Sequence, residues 1–276
     1  MRLTKDNYFS DEAARKFFSV SQVKLFQECE ARALAELKGD AVRDSNTALL
    51  VGGYVDAHFS DEMEEYTAAH PELYTIKGEL RSEYRQADML IERVERDPLA
   101  MSLLKGQKQQ VLKGAIDGYL FKAKMDIWLN KAHCQSIAKQ FPQMDSLIWA
   151  DGAIVDFKVM RDFEPMYKPG EGRMNFIEYW QYDLQMAVYQ RLKRQATGHQ
   201  NIPCFILAIT KERVPNIGLF EIPQPLMDAS LEIMLEGLPR ISNVKSGTTD
   251  PDRCGQCDYC KDTKALTCAE WLEEWA

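Results

Sequence analysis

Two stretches of the sequence alternate polar and apolar residues around a turn, and they restrict the possible fold more than any other feature. Residues 109–130, QQVLKGAIDGYLFKAKMDIWLN, carry strand patterns on both sides of Asp117-Gly118, and residues 146–160, SLIWADGAIVDFKVM, carry them around Asp151-Gly152. An Asp-Gly pair between two such runs is typical of a β-hairpin. We therefore predict two successive hairpins that form an antiparallel meander.

Helical patterns surround these hairpins. A first helix is predicted to begin at Ser19 or Ser21 and to continue through Cys29 to Leu37 with one apolar face. Further helices are predicted from about residue 45 through VGGYVDAHFSDEMEEY and over residues 82–96, 175–194 and 225–241, with strands at 203–210 and 217–222. The predicted fold class is mixed α/β (α+β), with a central mixed sheet flanked by helices.

Length and composition are those of an ordinary globular protein. The chain has 276 residues, 45% of them hydrophobic, which suffices for one large core. We expect a single domain over residues 1–276, made of a helical part at 1–105, the sheet with a helix at 106–223, and a C-terminal helix with a cysteine segment at 224–276. No stretch approaches the roughly 18 consecutive apolar residues of a membrane span, so we expect a cytoplasmic protein without a membrane partner.

The second hairpin carries two charges in an otherwise apolar strand. Asp156 and Lys158 are two positions apart and leave the same face, and Asp126 has a similar apolar setting in the first hairpin. A buried carboxylate is costly unless it is paired, so these groups need one another or a cation. Two carboxylates suit Mg²⁺, and a lysine beside the ion can act on a water or a phosphate. The alternative is a plain ion pair on a half-exposed strand.

These residues form a recognisable pattern. Asp126, then Asp156-Phe157-Lys158 in the next hairpin, then a helix with Gln185 and Tyr189 resemble the PD-(D/E)XK nuclease superfamily. The greatest likeness is to RecB/RecE-type phage and prophage exonucleases related to exodeoxyribonuclease VIII. It extends from FSVSQVKLFQECEARAL to the C-terminal cysteines. The resemblance implies a restriction-endonuclease-like core.

The resemblance also implies roles for individual residues. Asp126, Asp156 and the backbone carbonyl of Phe157 would bind Mg²⁺ or Mn²⁺. Lys158 would be the catalytic lysine, with Gln185 and Tyr189 lining the same site. Asp117 competes with Asp126 for the first acidic position, but its place before Gly118 favours a turn residue.

The first motif of the family departs from its usual form here. Relatives have a glycine followed four residues later by a metal-binding histidine on a helix. Counting from Gly52 places Asp56 at that position, with His58 two residues further on. Two such residues point about 200° apart on a helix, so both cannot serve. We prefer Asp56 and keep His58 as the alternative.

The cysteines raise a second question of metal binding. Among the seven, Cys254, Cys257 and Cys260 follow a Cys-x2-Cys-x2-Cys spacing that lets thiolates converge on a metal. Some RecB-type nucleases are similar in joining one early and three late cysteines around a [4Fe-4S] cluster. That resemblance adds Cys29 to the set, with Cys268 as a replacement for one member. The spacing differs from that of such relatives, and Zn²⁺ or free thiols are the alternatives.

The function implied by the resemblance is metal-dependent cleavage of DNA. We expect an exonuclease that converts double-stranded ends into single strands for recombination, with a single-strand annealing protein as partner and assembly as a homo-oligomer. The alternatives are an iron-sulfur, CRISPR-associated-type nuclease for single strands and a catalytically silent DNA-binding relative. A net charge of −8 argues against DNA binding over the whole surface. Candidates for local contacts are Lys122, Lys124, Arg161, Lys168 and Arg173.

Overall fold

The computed structural model describes residues 1–41 and 47–266. Cys268, named above as a replacement ligand, lies outside the described residues. The chain divides into two compact units, one of Met1–Val20 with Asp44–Glu236 and one of Ser21–Arg43 with Gly237–Ala276. The expectation of a single nuclease domain stays a prediction. Within the described ranges, no helix combines the length and apolar character needed to cross a membrane.

A five-stranded sheet forms the centre of the first unit. Its strands are β1 (Gln107–Ile116), β2 (Tyr119–Asn130), β3 (Gly152–Met160), β6 (Cys204–Thr210) and β7 (Ile217–Glu221), in the order β1-β2-β3-β6-β7. The β3–β6 pair is parallel and the other pairs are antiparallel. The predicted mixed sheet flanked by helices is therefore confirmed.

The first predicted hairpin is present. Ile116 pairs with Tyr119, and Asp117 and Gly118 both have positive φ, 49° and 81°. Two left-handed residues in succession match the twist of the adjoining strands, which is why this turn favours Asp-Gly. Asp117 is thus a turn residue, as its sequence context indicates.

The second predicted hairpin is wrong in its first half. The chain between β2 and β3 forms helix α8 (Lys131–Gln140) and a short 3-10 turn (Asp145–Leu147), so only β3 is a strand. Asn130 caps α8 by accepting a hydrogen bond from the backbone of His133 (3.0 Å). Asp151 accepts from the backbone N–H groups of Gln200 and Asn201, so it anchors a loop instead of turning a hairpin.

Helices and a small hairpin surround this sheet. The other α-helices and strands that lie wholly within the first unit are α1 (Asp11–Lys16), α4 (Thr47–Ser60), α5 (Met63–Ala69), α6 (Arg85–Glu95), α7 (Pro98–Leu103), β4 (Met166–Lys168), β5 (Gly172–Met174), α9 (Phe176–Tyr179) and α10 (Tyr182–Thr197). Two predicted helices are interrupted. Asp61 and Gln181, with φ of 60° and 51°, separate α4 from α5 and α9 from α10, because a left-handed residue ends the regular helical path.

The second unit contains α2 (Val20–Glu28) and α3 (Glu30–Lys38), the end of the long helix α11 (Gln224–Ser246), and α12 (Asp258–Asp262). The prediction of one helix through Cys29 is wrong, because Cys29 is extended (φ −164°, ψ 109°) and precedes α3 as its N-cap. Within this unit Glu30 makes a two-fold hydrogen bond with Arg240 and accepts from the backbone of Asp252. The carboxylate of Glu30 therefore ties the start of α3 to α11 and to the segment that precedes the late cysteines.

Candidate functional site

Two carboxylates meet at the junction of β2 and β3. The pairing of Ile127 with Val155 places Asp126 opposite Asp156 on the neighbouring strand. The backbone N–H of Phe157 donates to Asp126 Oδ2 at 3.1 Å. The acids that the sequence analysis singled out are therefore brought together by the register of the sheet.

Lys158 forms an ion pair with Asp156 beside them. Asp156 is fully buried, and the Lys158 side chain is 21% exposed. Burial lowers the pKa of Lys158, but Asp156 and then Asp126 raise it more strongly, so the pKa lies above its ordinary value. The lysine is thus held as an ammonium ion, with its Nζ 5.2 Å from the ring centre of Tyr182.

The positive charge of Lys158 does not offset the crowding of the carboxylates. Burial raises the pKa of Asp126 and the neighbouring Asp156 raises it further, so that it lies well above its ordinary value although Lys158 acts in the opposite direction. A divalent cation would replace this repulsion with attraction, and carboxylate oxygens are the ligands that Mg²⁺ and Mn²⁺ take. The donor set therefore fits such an ion.

Helix α4 adds a third carboxylate to this group. Burial raises the pKa of Asp56 to about 6, while Lys158 lowers it and Asp156 raises it, so Asp56 lies within electrostatic reach of both. His58 is exposed, and its Nε2 is bonded to Glu95 Oε1 at 3.0 Å. Of the two first-motif alternatives, the structure brings Asp56 to the carboxylates and leaves His58 outside.

Two polar side chains of α10 extend the site. Gln185 Nε2 donates to Asp156 Oδ1 at 2.7 Å and lies 3.1 Å from the hydroxyl of Tyr189, one helical turn further on. Burial raises the pKa of Tyr189 well above its ordinary value, and Asp156 adds to the effect, so the phenol stays protonated. Asp126, Asp156, Lys158, Gln185 and Tyr189 therefore lie together, and their roles stay a prediction.

Several residues near the site escaped the sequence analysis. Tyr182 lies beside Lys158, and Glu62 accepts hydrogen bonds from Lys124 (3.1 Å) and Lys5 (3.2 Å). Glu62 and Lys124 both influence the pKa of Asp56. A glutamate inside the charged run DEMEEY carries no distinguishing signal, whereas Tyr182 could have been found from its position three residues before Gln185.

The lysines and arginines proposed as DNA contacts differ in their surroundings. Lys122 is only 5% exposed and donates to the carbonyl of Tyr8, so its role is structural and the expectation of a DNA contact there is wrong. Arg161 and Lys168 are paired with Asp162 and Glu171. Arg173 lies exposed on β5 of the small hairpin.

The four cysteines proposed as a set do converge within the second unit. The sulfur atoms of Cys29, Cys254, Cys257 and Cys260 all lie within 4.8 Å of one another, and Cys29 Sγ is 3.5 Å from Cys260 Sγ. The backbone N–H groups of Cys257 and Gln256 lower the pKa of Cys254 to about 6. The four sulfur atoms are close enough together to hold one metal ion, and Cys29, with its extended backbone, supplies the one that comes from the early part of the chain.

One prediction concerns the effect of the buried carboxylate of Asp56 on the free energy of unfolding. The pKa of Asp56 is about 6 in the folded chain against an ordinary 3.8, so the stability linked to this group is present below about pH 4 and is lost as the pH rises through 6. Asparagine cannot ionise, and its Oδ1 can still accept a hydrogen bond. We expect Asp56→Asn to raise the free energy of unfolding by about 1–3 kcal/mol at pH 7.5, measured by urea unfolding in EDTA.

The pH dependence supplies the control for this prediction. The gain should shrink towards zero near pH 3, because the carboxyl group of the parent protein is then largely protonated in both states. A variant that is no more stable than the parent at pH 7.5 would contradict the prediction.

Comparison with known proteins places this chain in a family. The family described as PDDEXK-like domain of unknown function (DUF3799) matches residues 19–135 and 141–263. A crystal structure at 2.19 Å of the protein named "Putative exonuclease" from Eubacterium rectale has 34% sequence identity and a TM-score of 0.87, covering 100% of this chain and 98% of that chain. No curated protein gives a significant match. The resemblance to PD-(D/E)XK nucleases and the restriction-endonuclease-like fold are thereby confirmed, and the chain belongs to the family of PDDEXK-like domains.

Proposed function

We propose that this protein is a metal-dependent deoxyribonuclease. The observation that carries the proposal is the convergence of Asp126, Asp156 and Lys158 on adjacent strands, with Asp56 beside them. Membership of the PDDEXK-like family supports nuclease activity. So does the likeness to the Eubacterium rectale protein, whose name describes an exonuclease.

The carboxylates of Asp56, Asp126 and Asp156, with the backbone carbonyl of Phe157, would hold Mg²⁺ or Mn²⁺. When bound, the ion supplies charge neutralisation at the phosphate and a more acidic water. The raised pKa of Asp126 supports this assignment, because burial and then repulsion from Asp156 disfavour its charged form in the protein alone. His58, paired with Glu95, has no part in it.

The remaining site residues would supply a positive charge and orient the carboxylates. The ammonium group of Lys158 is fixed by Asp156 and can hydrogen-bond to the attacking water or to a phosphate oxygen on which negative charge develops. Gln185 orients Asp156 through its Oδ1, and Tyr189 in turn contacts the amide of Gln185. Lys158, Gln185 and Tyr189 would therefore position the reacting groups, whereas the carboxylates would bind the ion.

The preferred substrate is the end of double-stranded DNA. The similarity to RecE-type exonucleases and the name of the Eubacterium rectale protein both favour attack from an end. The product would be a single strand for recombination in the cytoplasm of a phage-bearing or prophage-bearing cell. A single-strand annealing protein would be its partner, and assembly as a homo-oligomer would hold it on its substrate.

A comparison of substrates tests this proposal. End-labelled linear duplex, covalently closed circular duplex and single-stranded DNA are incubated with the protein and Mg²⁺, Mn²⁺ or EDTA. We expect nucleotides to be released from the linear duplex only with a metal, while the closed circle stays intact. Cleavage of single strands alone would favour the CRISPR-associated-type alternative, and DNA binding without cleavage under any condition would favour the silent relative.

For the cysteine site we propose a single Zn²⁺ ion. Four sulfur atoms about 2.3 Å from one tetrahedral ion lie about 3.8 Å from each other. The contacts Cys29–Cys260, Cys29–Cys257 and Cys254–Cys260 are 3.5, 3.8 and 3.9 Å. A [4Fe-4S] cluster holds its cysteines on four different iron atoms and would need them further apart. The role of the ion would be structural, since it would cross-link residues 29 and 254–260.

A further inference from the structure

Gln109 has an unusual backbone conformation at the position on β1 that lies opposite Asp126. Its φ is 54° in the interior of β1, although it is not a glycine. The pairs Lys108–Ile127 and Gln110–Met125 place Gln109 opposite Asp126, and this is the position between them at which the regular pairing is interrupted. A left-handed residue with a side chain persists in a strand only where its surroundings hold it there. Such residues concentrate at functional sites.

The side chain of Gln109 explains what holds it. It is 3% exposed, and its Nε2 donates to Ser60 Oγ at 2.8 Å. Ser60 is the last residue of α4, is 8% exposed, and its Oγ lies 3.5 Å from Asp56 Oδ1, one helical turn earlier. A hydroxyl has one proton to donate, so accepting from Gln109 leaves that proton for Asp56.

We propose that Gln109 and Ser60 are positioning residues for the metal-binding carboxylates. The backbone of Gln109 faces Asp126 on β2, and its side chain reaches Asp56 on α4 through Ser60. The two residues therefore fix the position of Asp56 relative to Asp126. This inference rests on the proposed function, because it concerns the same ion.

Direct measurement of Mn²⁺ binding by calorimetry tests the inference without relying on DNA cleavage. We expect Ser60→Ala and Gln109→Gly to bind Mn²⁺ about tenfold more weakly than the parent protein, as is usual when partners of metal ligands are removed. Glycine is chosen at position 109 because it accepts a positive φ, so the loss of the amide is separated from any backbone strain. Ser60→Thr, which keeps the hydroxyl, should restore most of the affinity.

A matched control comes from the neighbouring glutamine on the same strand. The side chain of Gln110 accepts from Lys193 and contacts Gln107, so Gln110→Ala should leave Mn²⁺ affinity within about twofold of the parent. Unchanged affinity in both Ser60→Ala and Gln109→Gly, with the parent protein binding Mn²⁺, would overturn the inference alone. Absence of Mn²⁺ binding to the parent protein would overturn the proposed metal site itself.

Discussion

Replacing Lys158 with alanine is expected to reduce DNA cleavage by about 10²–10³-fold at saturating metal. The reason is that Asp156 holds the ammonium group of Lys158 beside the carboxylates. In the proposed reaction this ammonium group stabilises the negative charge that develops on the phosphate under attack. The substitution removes that charge but leaves the carboxylates in place. Mn²⁺ affinity should therefore be equal to or higher than that of the parent protein, because a competing positive charge is gone. Initial rates and calorimetry, measured on the same preparations, check both halves of the prediction.

A buried lysine outside the carboxylate site provides the control for this result. Lys193 on α10 is 5% exposed, lies over the ring of Trp128 at 4.0 Å and donates to Gln110. We expect Lys193→Ala to disturb the packing of the core but to retain cleavage within a few-fold of the parent once the protein is folded. If Lys158→Ala cleaved DNA as fast as Lys193→Ala, the proposed catalytic role of Lys158 would be untenable.

Replacing Cys260 with serine is expected to remove the metal from the cysteine site and to lower the melting temperature by about 10 °C or more. Cys260 is buried, and its Sγ lies near those of both Cys29 and Cys254. Its loss would leave three cysteines, one fewer than a tetrahedral zinc site needs. Elemental analysis of protein purified without added metal should give about one zinc per chain in the parent and none in the variant. Thermal unfolding followed by circular dichroism measures the stability.

Cys134 is the matched control for this experiment. It is also fully buried, but it lies in α8 of the first unit, where its Sγ contacts the carbonyl of Leu129. Cys134→Ser should keep the zinc content of the parent. Iron with acid-labile sulfide in the parent protein would show that the resident group is an iron-sulfur cluster and not zinc. Absence of any metal would refute the site.

The sequence was informative where a local pattern decides the structure. The first hairpin follows from alternation and an Asp-Gly turn, and both are properties of adjacent residues. The acids on β2 and β3 and Lys158 could be located because charges are rare in buried strands. Helix α8 was not predicted although Cys134, Ile137 and Ala138 share a buried face, because few of its other residues are apolar.

Other features depend on contacts that no local pattern records. Cys29 lies at a regular apolar position of a helical pattern, yet its backbone is extended where it meets cysteines more than 220 positions later. Gln109 is an ordinary polar residue in the sequence, and its contact with Ser60 joins positions 49 residues apart. Partners so distant in the chain become visible only once the fold is known.

The same separation has a consequence for the order in which the protein is made. The cysteines of this site come from residue 29 and from residues 254–260, with the whole central sheet encoded between them. A growing chain is synthesised from its N-terminus, and domains fold in that order. If the site holds zinc as proposed, Cys29 stays without its partner ligands until Cys260 has left the ribosome, so metal capture would follow the synthesis of the whole central sheet.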